Sequence, residues 1–257
     1  QEPSPFNVYY YRVRSRVGLK EGPWSNVESV VGGYHDDFEN PNTGWAMRRS
    51  TYREEVHGFY EEGKYVMQVL DRWDWGLSSP LMPAPRVPYE LDFEAKIVAP
   101  ANLLSFGVVF GGDWNGQNCP PGISFDEWYL HKNCFNHFYN TNSIFYGPIK
   151  LLFERVDQLV WCLDCGGSPM KRLGDINFDG AEDYNNIDPE GWNHYRIEVR
   201  EGSIKVYAAK RGAPLEFQYE YNDTRWIGEP YFGVFASTDE YNNSTWRFEY
   251  MKVLPLD

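Results

Sequence analysis

The residues from 172 to 188, RLGDINFDGAEDYNNID, carry a side-chain oxygen at nearly every second position around a central glycine. Asp175, Asn177 and Asp179 alternate along the chain, Gly180 follows directly, and Asp183 closes the run. Carboxylate and amide oxygens are the ligands that Ca²⁺ takes in proteins. A glycine lets the chain turn sharply, so that alternating side chains can converge on one ion. The spacing therefore predicts a calcium-binding loop.

The same stretch resembles the loop of an EF-hand without its flanking helices, as in dockerin-like or thrombospondin-like repeats. The resemblance implies a ligand set of side chains and one backbone carbonyl (Ala181): Asp175, Asn177, Asp179, Ala181, Asp183 and Asn186. Asn186 cannot supply the bidentate carboxylate expected at the last position, so we expect weak affinity and a structural role. Asp188 or Glu190 could complete the set. The alternative interpretation is an ordinary Asn/Asp/Gly turn, which this composition also forms.

Three carboxylates alternate in the segment ELDFE, and strand geometry would place Glu90, Asp92 and Glu94 on one face. Retaining glycoside hydrolases need two carboxyl groups about 5–5.5 Å apart, which neighbours on a strand face can approach. The segment superficially resembles the Glu-x-Asp-x-Glu strand of family 16 glucanases. Its context, YELDFEAKI, is more similar to an earlier scaffold strand of those enzymes. We therefore expect a solvated structural face and keep hydrolysis by these three residues as an alternative.

Four tryptophans, two on one face of a predicted strand and two in the first insertion, are candidates for stacking against sugar rings. Aromatic faces pack on apolar sugar faces, and neighbouring Asn, Asp and Arg side chains can bind hydroxyl groups. The candidates lie in DRWDWG, GGDWNGQN and FDEWYLHKN, and they are Trp73, Trp75, Trp114 and Trp128. The alternative is that they form small cores within inserted loops.

The four cysteines, Cys119, Cys134, Cys162 and Cys165, favour disulfides in an oxidising compartment. Three connectivities are possible, and the Cys119–Cys134 with Cys162–Cys165 arrangement is our preferred one. A zinc ribbon needs a second close pair of cysteines, and Cys119 and Cys134 are too far apart in the sequence to form one. A thioredoxin-type redox site needs a helix directly after the first cysteine of WCLDC, whereas GGSP follows here. The cysteines therefore favour a secreted or cell-surface protein.

Composition narrows the classes of partner. The chain has 257 residues, a formal net charge of -13 and 18% aromatic residues. Such an acidic chain repels phosphate backbones and anionic membrane surfaces, so we expect no nucleic-acid partner and no membrane insertion. No apolar run approaches the roughly 20 residues of a membrane helix. Residues 1–20 also lack the layout of a signal peptide.

Short alternating segments bounded by Gly, Pro, Asn and Asp dominate the chain, and long helical periodicity is missing. Examples are KYVMQVL, YELDFEAKI, SFGVVFG, HYRIEVRE and YFGVFAS. REGSIKVY predicts a hairpin with Glu201-Gly202 at its turn. Many short strands without intervening helices predict an all-β sandwich or barrel.

The first part of the chain, YYYRVRSRVGLKEGPWSNVESV, resembles the last two strands of a fibronectin type III domain. We expect residues 1–32 to be a C-terminal fragment of such a domain or an assembly hairpin. A lone two-stranded hairpin is marginal in water. Its strands therefore belong to a domain lying mostly upstream, pack on the main domain, or complete a sheet in another chain.

Residues 33–257 resemble the concanavalin A-like (laminin G/glucanase-type) jelly-roll modules of extracellular proteins. The resemblance rests on DDFENPNTGW, YEEGKYVMQV, YELDFEAKIVAPANLLSFGVVFGG and GWNHYRIEVREGSIKVYA. Insertions at about 111–148 and 161–191 depart from it, and inserted loops on a rigid scaffold tend to hold function. The sequence predicts a non-catalytic module with structural Ca²⁺ that binds a glycan or cell-surface polymer. A self-assembling fibre subunit, joined to copies of itself through the N-terminal hairpin, is the alternative.

Overall fold

The structure is a computed structural model of the chain. It describes residues 6–18, 20–26, 28–45, 56–70, 75–80, 82–98, 104–113, 138–145, 149–156, 170–177, 187–188, 190–222, 225–237 and 244–256. These residues form strands and turns and include no α-helix, which confirms the all-β prediction. Within this part of the chain there is accordingly no helix with the length and apolar character that crossing a membrane requires.

The strands are numbered in chain order. They are β1 Phe6–Tyr11, β2 Arg14–Val17, β3 Lys20–Trp24, β4 Glu28–Asp36, β5 Val56–Glu61, β6 Lys64–Val69, β7 Trp75–Ser78, β8 Tyr89–Ile97, β9 Leu104–Gly112, β10 Phe138–Phe145, β11 Ile149–Val156, β12 Met170–Asn177, β13 Asn193–Val199, β14 Ile204–Lys210, β15 Glu216–Tyr221, β16 Tyr231–Ser237 and β17 Ser244–Pro255.

Two antiparallel sheets form the sandwich. The nine-stranded sheet has the order β1-β4-β17-β8-β13-β14-β15, with β6 paired to β17 and β5 paired to β6. The six-stranded sheet has the order β12-β11-β10-β9-β16-β7, and β2 and β3 form a small sheet of their own. Some neighbours are consecutive strands, but pairs such as β4 with β17 and β9 with β16 come from distant parts of the chain, as in a jelly roll.

The core lies between the two large sheets and follows from the two-residue period of the strands. In β8, Leu91, Phe93 and Ala95 are buried in the core, and the residues between them face outward. The six-stranded sheet contributes Val108 and Val234 to the same core. Burial of each large apolar side chain stabilises the fold by about 1.5–3 kcal/mol.

The predicted hairpin at Glu201-Gly202 is present. Val199 at the end of β13 pairs with Ile204 at the start of β14. The Arg200 amide donates to the Ser203 carbonyl at 2.9 Å, and the Ser203 amide returns a bond of 3.3 Å to the Arg200 carbonyl. Glu201 and Gly202 therefore form a two-residue turn, as the sequence pattern predicts.

The N-terminal strands join the main sheet. β1 pairs with β4, and the end of β4 pairs with β17, with Tyr34 opposite Val253. β4 thus runs through the predicted domain boundary between residues 32 and 33. Of the three arrangements left open for this segment, pairing with the main domain is the one observed for β1 and β4. The fibronectin type III origin remains a prediction.

We call residues 12–26, which contain β2 and β3, the arm tip. Three of its apolar side chains, Val13, Val17 and Trp24, are exposed. The guanidinium carbons of Arg12 and Arg14 lie 4.5 and 4.4 Å from the centre of a Trp24 ring. These cation–π contacts are favourable, but they leave the apolar residues in water.

The turn after β4 encloses a buried polar network. Asp36 is 2% exposed. Its Oδ2 accepts a hydrogen bond of 2.9 Å from the Tyr34 hydroxyl, and its Oδ1 accepts one of 2.8 Å from the Phe38 amide. Trp45 Nε1 donates to the same Tyr34 hydroxyl at 2.6 Å. Phe38 has a φ of 61°, which a non-glycine residue adopts at a cost that its surroundings must offset.

Candidate functional site

The outward face of the nine-stranded sheet carries the ELDFE carboxylates. Because Leu91 and Phe93 point into the core, the alternate residues Glu90, Asp92 and Glu94 point away from it. Strand pairing places Asp92 opposite Arg196 of β13 and opposite Lys252 of β17. We call this surface the outer polar face. The sequence correctly predicts that the three carboxylates share one face.

Asp92 is the centre of this face. Its Oδ2 accepts hydrogen bonds from His194 Nε2 at 3.0 Å and from Arg196 Nε and Nη2 at 3.0 and 2.9 Å. Its Oδ1 accepts one from the Tyr250 hydroxyl at 2.7 Å. Burial works to raise the pKa of Asp92, but these hydrogen bonds outweigh burial and hold the pKa at about 2. Both oxygens of Asp92 therefore accept hydrogen bonds from neighbouring side chains.

Glu94 and Glu90 also have cationic neighbours. Glu94 Oε2 lies 2.6 Å from Arg211 Nε, and the same guanidinium is 3.1 Å from Glu249. Burial raises the pKa of Glu94, and Arg211 opposes this effect. Glu90 Oε2 lies 3.4 Å from Arg196 Nε. The three carboxylates thus take part in ion pairs that join β8 to the neighbouring part of the sheet, and the described contacts present none of them as an isolated nucleophile.

The face of the six-stranded sheet that points away from the core has apolar residues at its centre. Val109 lies between the core residues Val108 and Phe110, so it points to the other side, and Phe235 has the same position in β16. Leu77 pairs with Phe235 and continues this row in β7. All three are nevertheless buried. This face is therefore covered above its centre rather than open to solvent.

The first two predicted calcium ligands lie at the end of β12, the edge strand of the same sheet. Asp175 pairs with Leu152 and Asn177 with Lys150. Their alternation is thus set by strand geometry, and the strand ends at Asn177, where a loop can start. The remaining predicted ligands, Asp179, Ala181, Asp183 and Asn186, lie outside the described residues. Among the residues that are described, no group of three His, Cys, Asp or Glu side chains is arranged to hold a metal ion.

The other predicted ligand of this region has a structural contact. Asp188 Oδ1 accepts a hydrogen bond of 3.0 Å from the Glu190 amide. The Asp188 carbonyl accepts a bond of 2.7 Å from Asn193 Nδ2, and Asn193 Oδ1 accepts one of 2.7 Å from the Asp188 amide. Asn193 thereby fixes the segment that leads from the predicted loop into β13.

Among the predicted sugar-binding tryptophans, the described residues include the backbone of Trp75. Trp75 begins β7 and pairs with Ser237, which in turn pairs with Ser105 near the start of β9. Trp114 follows Asp113, which lies beyond the far end of β9. Asp113 is eight positions after Ser105, which corresponds to roughly 26 Å along a strand. Trp73, Trp114, Trp128 and the four cysteines lie outside the described residues, so their placement stays a prediction.

An aromatic pair on β14 and β15, half-buried Tyr207 and exposed Phe217, is not predicted by the sequence pattern. Tyr207 and Phe217 face each other across these strands, with ring centres 5.8 Å apart and an interplanar angle of 72°. The segment EFQYEY shows simple alternation, which would place Phe217 on the same face as Tyr219 and Tyr221. Phe217 differs from Tyr219 and Tyr221 because the pairing of β14 with β15 is irregular, and strand pairing is not visible in the sequence.

The folded chain has the class of a concanavalin A-like jelly-roll β-sandwich, which solved structures of other proteins share. The VIP36 exoplasmic/lumenal domain in its Ca²⁺/Man3GlcNAc-bound form matches with a TM-score of 0.53 and 12% identity, over 83% of this chain and 84% of that one. A β-glucanase from Bacillus licheniformis matches with a TM-score of 0.50 and 12% identity, over 87% of this chain and 98% of that one. These likenesses show the fold.

A third similar structure is the GH43 protein BlXynB from Bacillus licheniformis, with a TM-score of 0.52 and 12% identity over 86% of this chain. The present chain spans 39% of the length of that protein. No protein-family model matches the sequence, and no curated protein matches it either.

Proposed function

We propose that the protein is an extracellular, non-catalytic module that binds carbohydrate. The observation that carries this proposal is the state of the β8 carboxylates. Asp92 accepts hydrogen bonds from three side chains, and Glu94 is paired with Arg211. A retaining glycosidase needs one carboxylate open to attack the sugar and a second one protonated to act as the acid. The outer polar face instead uses its carboxylates to join strands.

The scaffold supports the choice of ligand class. It is shared with the VIP36 domain, a structure of which contains Man3GlcNAc, and with a β-glucanase. We assign sugar stacking to Trp73, Trp75, Trp114 and Trp128, because the first two alternate in DRWDWG and the last two lie in the insertion at about 111–148. The backbone of Trp75 lies near the start of β9, and Asp113, the last described residue before Trp114, follows its end, which favours an extended glycan as the ligand.

We assign Ca²⁺ a structural role in the loop that follows β12. The oxygen-rich chemistry of Asp175, Asn177, Asp179 and Asp183 fits a hard cation, and the end of β12 at Asn177 is where such a loop would begin. Bound Ca²⁺ would stabilise an insertion that is otherwise rich in mutually repelling carboxylates. The preferred disulfides, Cys119–Cys134 and Cys162–Cys165, would stabilise the insertions in the same way.

A glycan array probed with the intact chain, in calcium and again in chelator, tests the proposal. We expect binding to polysaccharide in calcium, reduced in chelator, and lost in Trp114→Ala or Trp75→Ala. Trp24→Ala is the matched control, because Trp24 is an exposed tryptophan at the arm tip. Absence of binding in both buffers would refute the carbohydrate proposal. Release of reducing sugar that disappears in Glu94→Gln would instead establish the hydrolase.

The arm tip favours a second candidate function, assembly with copies of the same chain. Val13, Val17 and Trp24 are exposed there. β1 also forms one edge of the nine-stranded sheet, and an edge strand presents unpaired backbone groups to another chain. Polymerisation that is lost after removal of residues 1–26 would support a fibre subunit over a monomeric binder.

A further inference from the structure

A β-bulge in the edge strand β15 turns one aromatic side chain toward solvent. Val206 pairs with Tyr219, but the next residue, Tyr207, pairs with Phe217, so Gln218 is an extra residue in β15. Side chains alternate along a strand, and a one-residue bulge reverses the face of everything on one side of it. Tyr219 accordingly packs against the core, whereas Phe217 is 55% exposed.

The bulge is held by the side chain of the inserted residue. Gln218 Nε2 donates to the Ala208 carbonyl at 3.3 Å and to the Glu216 carbonyl at 3.1 Å. One of these bonds crosses to β14 and the other closes on β15 itself. Phe217 forgoes part of the roughly 1.5–3 kcal/mol that complete burial of its side chain would contribute. Bulges commonly re-aim a side chain for a function.

The surroundings of Phe217 combine aromatic area with hydrogen-bonding groups. The Tyr207 ring packs edge-on to it and holds it in place. Tyr207 is opposite Arg196 in the neighbouring strand, whose side chain is 37% exposed. Two residues before Tyr207 in β14, Lys205 Nζ lies 3.9 Å from Glu220 Oε1, and both side chains are about one-third exposed or more. The patch therefore offers an apolar surface bordered by donors and acceptors.

We propose that Phe217 and Tyr207 form a second carbohydrate-binding site, in which the C–H face of a pyranose ring stacks on Phe217. The hydroxyl groups at the rim of that sugar would bind Lys205, Glu220 and Arg196. The choice of a sugar as the ligand rests on the proposed function. The site lies on β14 and β15 at the edge of the nine-stranded sheet.

The test is a nuclear magnetic resonance titration of the full-length chain, labelled with ¹⁵N, with cellotetraose, xylotetraose and mannotetraose at millimolar concentration. The reporters are the Gln218 side-chain amide and the backbone amides of Phe217 and Tyr207. We expect saturable shifts at these signals with at least one of the sugars. Phe217→Ala should weaken that binding about tenfold or more.

Conservative variants separate ring stacking from general hydrophobicity. Phe217→Tyr keeps a flat ring and should bind as the wild type does, whereas Phe217→Leu keeps apolar bulk and should bind as weakly as Phe217→Ala. Val98→Ala, at another exposed apolar residue, should change nothing. Because Phe217 is exposed, these variants are expected to fold, and thermal unfolding checks this.

Equal binding by Phe217→Leu and Phe217→Tyr would overturn the site, as would sugar titrations that leave the Gln218 signals unmoved. Array binding that survives Phe217→Ala, in a chain whose Gln218 signals do not shift, retains the proposed function and rejects this site. Shifts at Gln218 without array binding retain the site and reject the tryptophan-based lectin. Displacement of the Gln218 signals by a protein partner, with no sugar effect, would also overturn the proposal.

Discussion

The Tyr250 hydroxyl donates a hydrogen bond of 2.7 Å to Oδ1 of Asp92 and thereby links β17 to β8. Oδ2 of the same carboxylate accepts from His194 and Arg196 of β13. One buried acidic side chain therefore joins three adjacent strands in the middle of the nine-stranded sheet. Hydrogen bonds to a charged group contribute more than neutral ones, and removing such an acceptor leaves its donors unsatisfied.

Acid should weaken the fold through Asp92. Its pKa is about 2 in the folded chain against an ordinary value of 3.8. A carboxyl group with a depressed folded pKa contributes stability above its unfolded pKa, and this contribution is lost as the pH falls toward the folded pKa. Between pH 5 and pH 3 we expect Asp92 to account for a loss of about 1 kcal/mol in the free energy of unfolding, measured by urea denaturation.

Asp92→Asn is the comparison for that measurement. It keeps the size of the side chain and cannot lose a charge, so the difference in unfolding free energy between wild type and variant should shrink between pH 5 and pH 3. Glu94, whose raised pKa acts in the opposite direction, is present in both proteins, and burial, the largest cause of its raised pKa, is common to both. Parallel stability curves for the two proteins would show that Asp92 does not carry the acid sensitivity.

Asp36→Ala should destabilise the fold by about 3 kcal/mol, because it leaves the Phe38 amide and the Tyr34 hydroxyl without their buried acceptor. The hydrogen bond from the Phe38 amide to Asp36 also helps to hold Phe38 at its positive φ. Asp36→Asn retains an oxygen for the Phe38 amide and should cost about half as much. Urea denaturation at pH 7 measures both, and equal losses would assign the effect to charge instead.

Gly202 and Gly212 both have room for a side chain, so substituting each by alanine tests the effect of backbone conformation without steric crowding. A Cβ added to either Gly202 or Gly212 meets no atom within 4 Å, but Gly212 has a φ of +82°. Gly202→Ala should be neutral or stabilise the fold by about 0.5 kcal/mol, since alanine reduces the entropy of the unfolded chain. Gly212→Ala should destabilise it by about 1 kcal/mol. Thermal unfolding of both variants should give shifts of opposite sign, and a shared sign would contradict the assignment.

Substitutions at the arm tip should not alter the melting temperature of the sandwich. Val17 and Trp24 are exposed, so Val17→Ser with Trp24→Ser removes no core contact. Thermal unfolding measures this, with the buried Trp246→Ser as a control that should unfold the protein. Size-exclusion chromatography of the same variant tests assembly. A fall in apparent mass would show that the tip joins two chains.

Local features of this fold were predictable from the sequence. The alternation in YELDFEAKI and HYRIEVRE predicts β8 and β13, because a strand has a period of two residues and one of its faces is buried. The turn at Glu201-Gly202 follows from residues that are adjacent in the chain. Each of these depends on contacts between residues that are close in sequence, so the sequence pattern is sufficient.

Which residues of distant strands contact each other was decided by the tertiary structure alone. The sequence predicts that Asp92 faces away from the core, but His194 lies about a hundred residues later. It meets Asp92 because β13 pairs with β8 in one particular register. A register shift of one residue would place the same side chains on the other face of the strand. Register depends on the packing of the whole sandwich.

Phe217 shows most clearly what the sequence pattern does not determine. The sequence determined that EFQYEY is a strand with aromatic residues at every second position. The tertiary structure decided that Phe217 faces solvent while Tyr219 faces the core, because Gln218 is accommodated as a bulge through bonds to the backbone of β14 and β15. Alternation is a local property of one chain segment. The position of a bulge is decided by the strand that pairs with it.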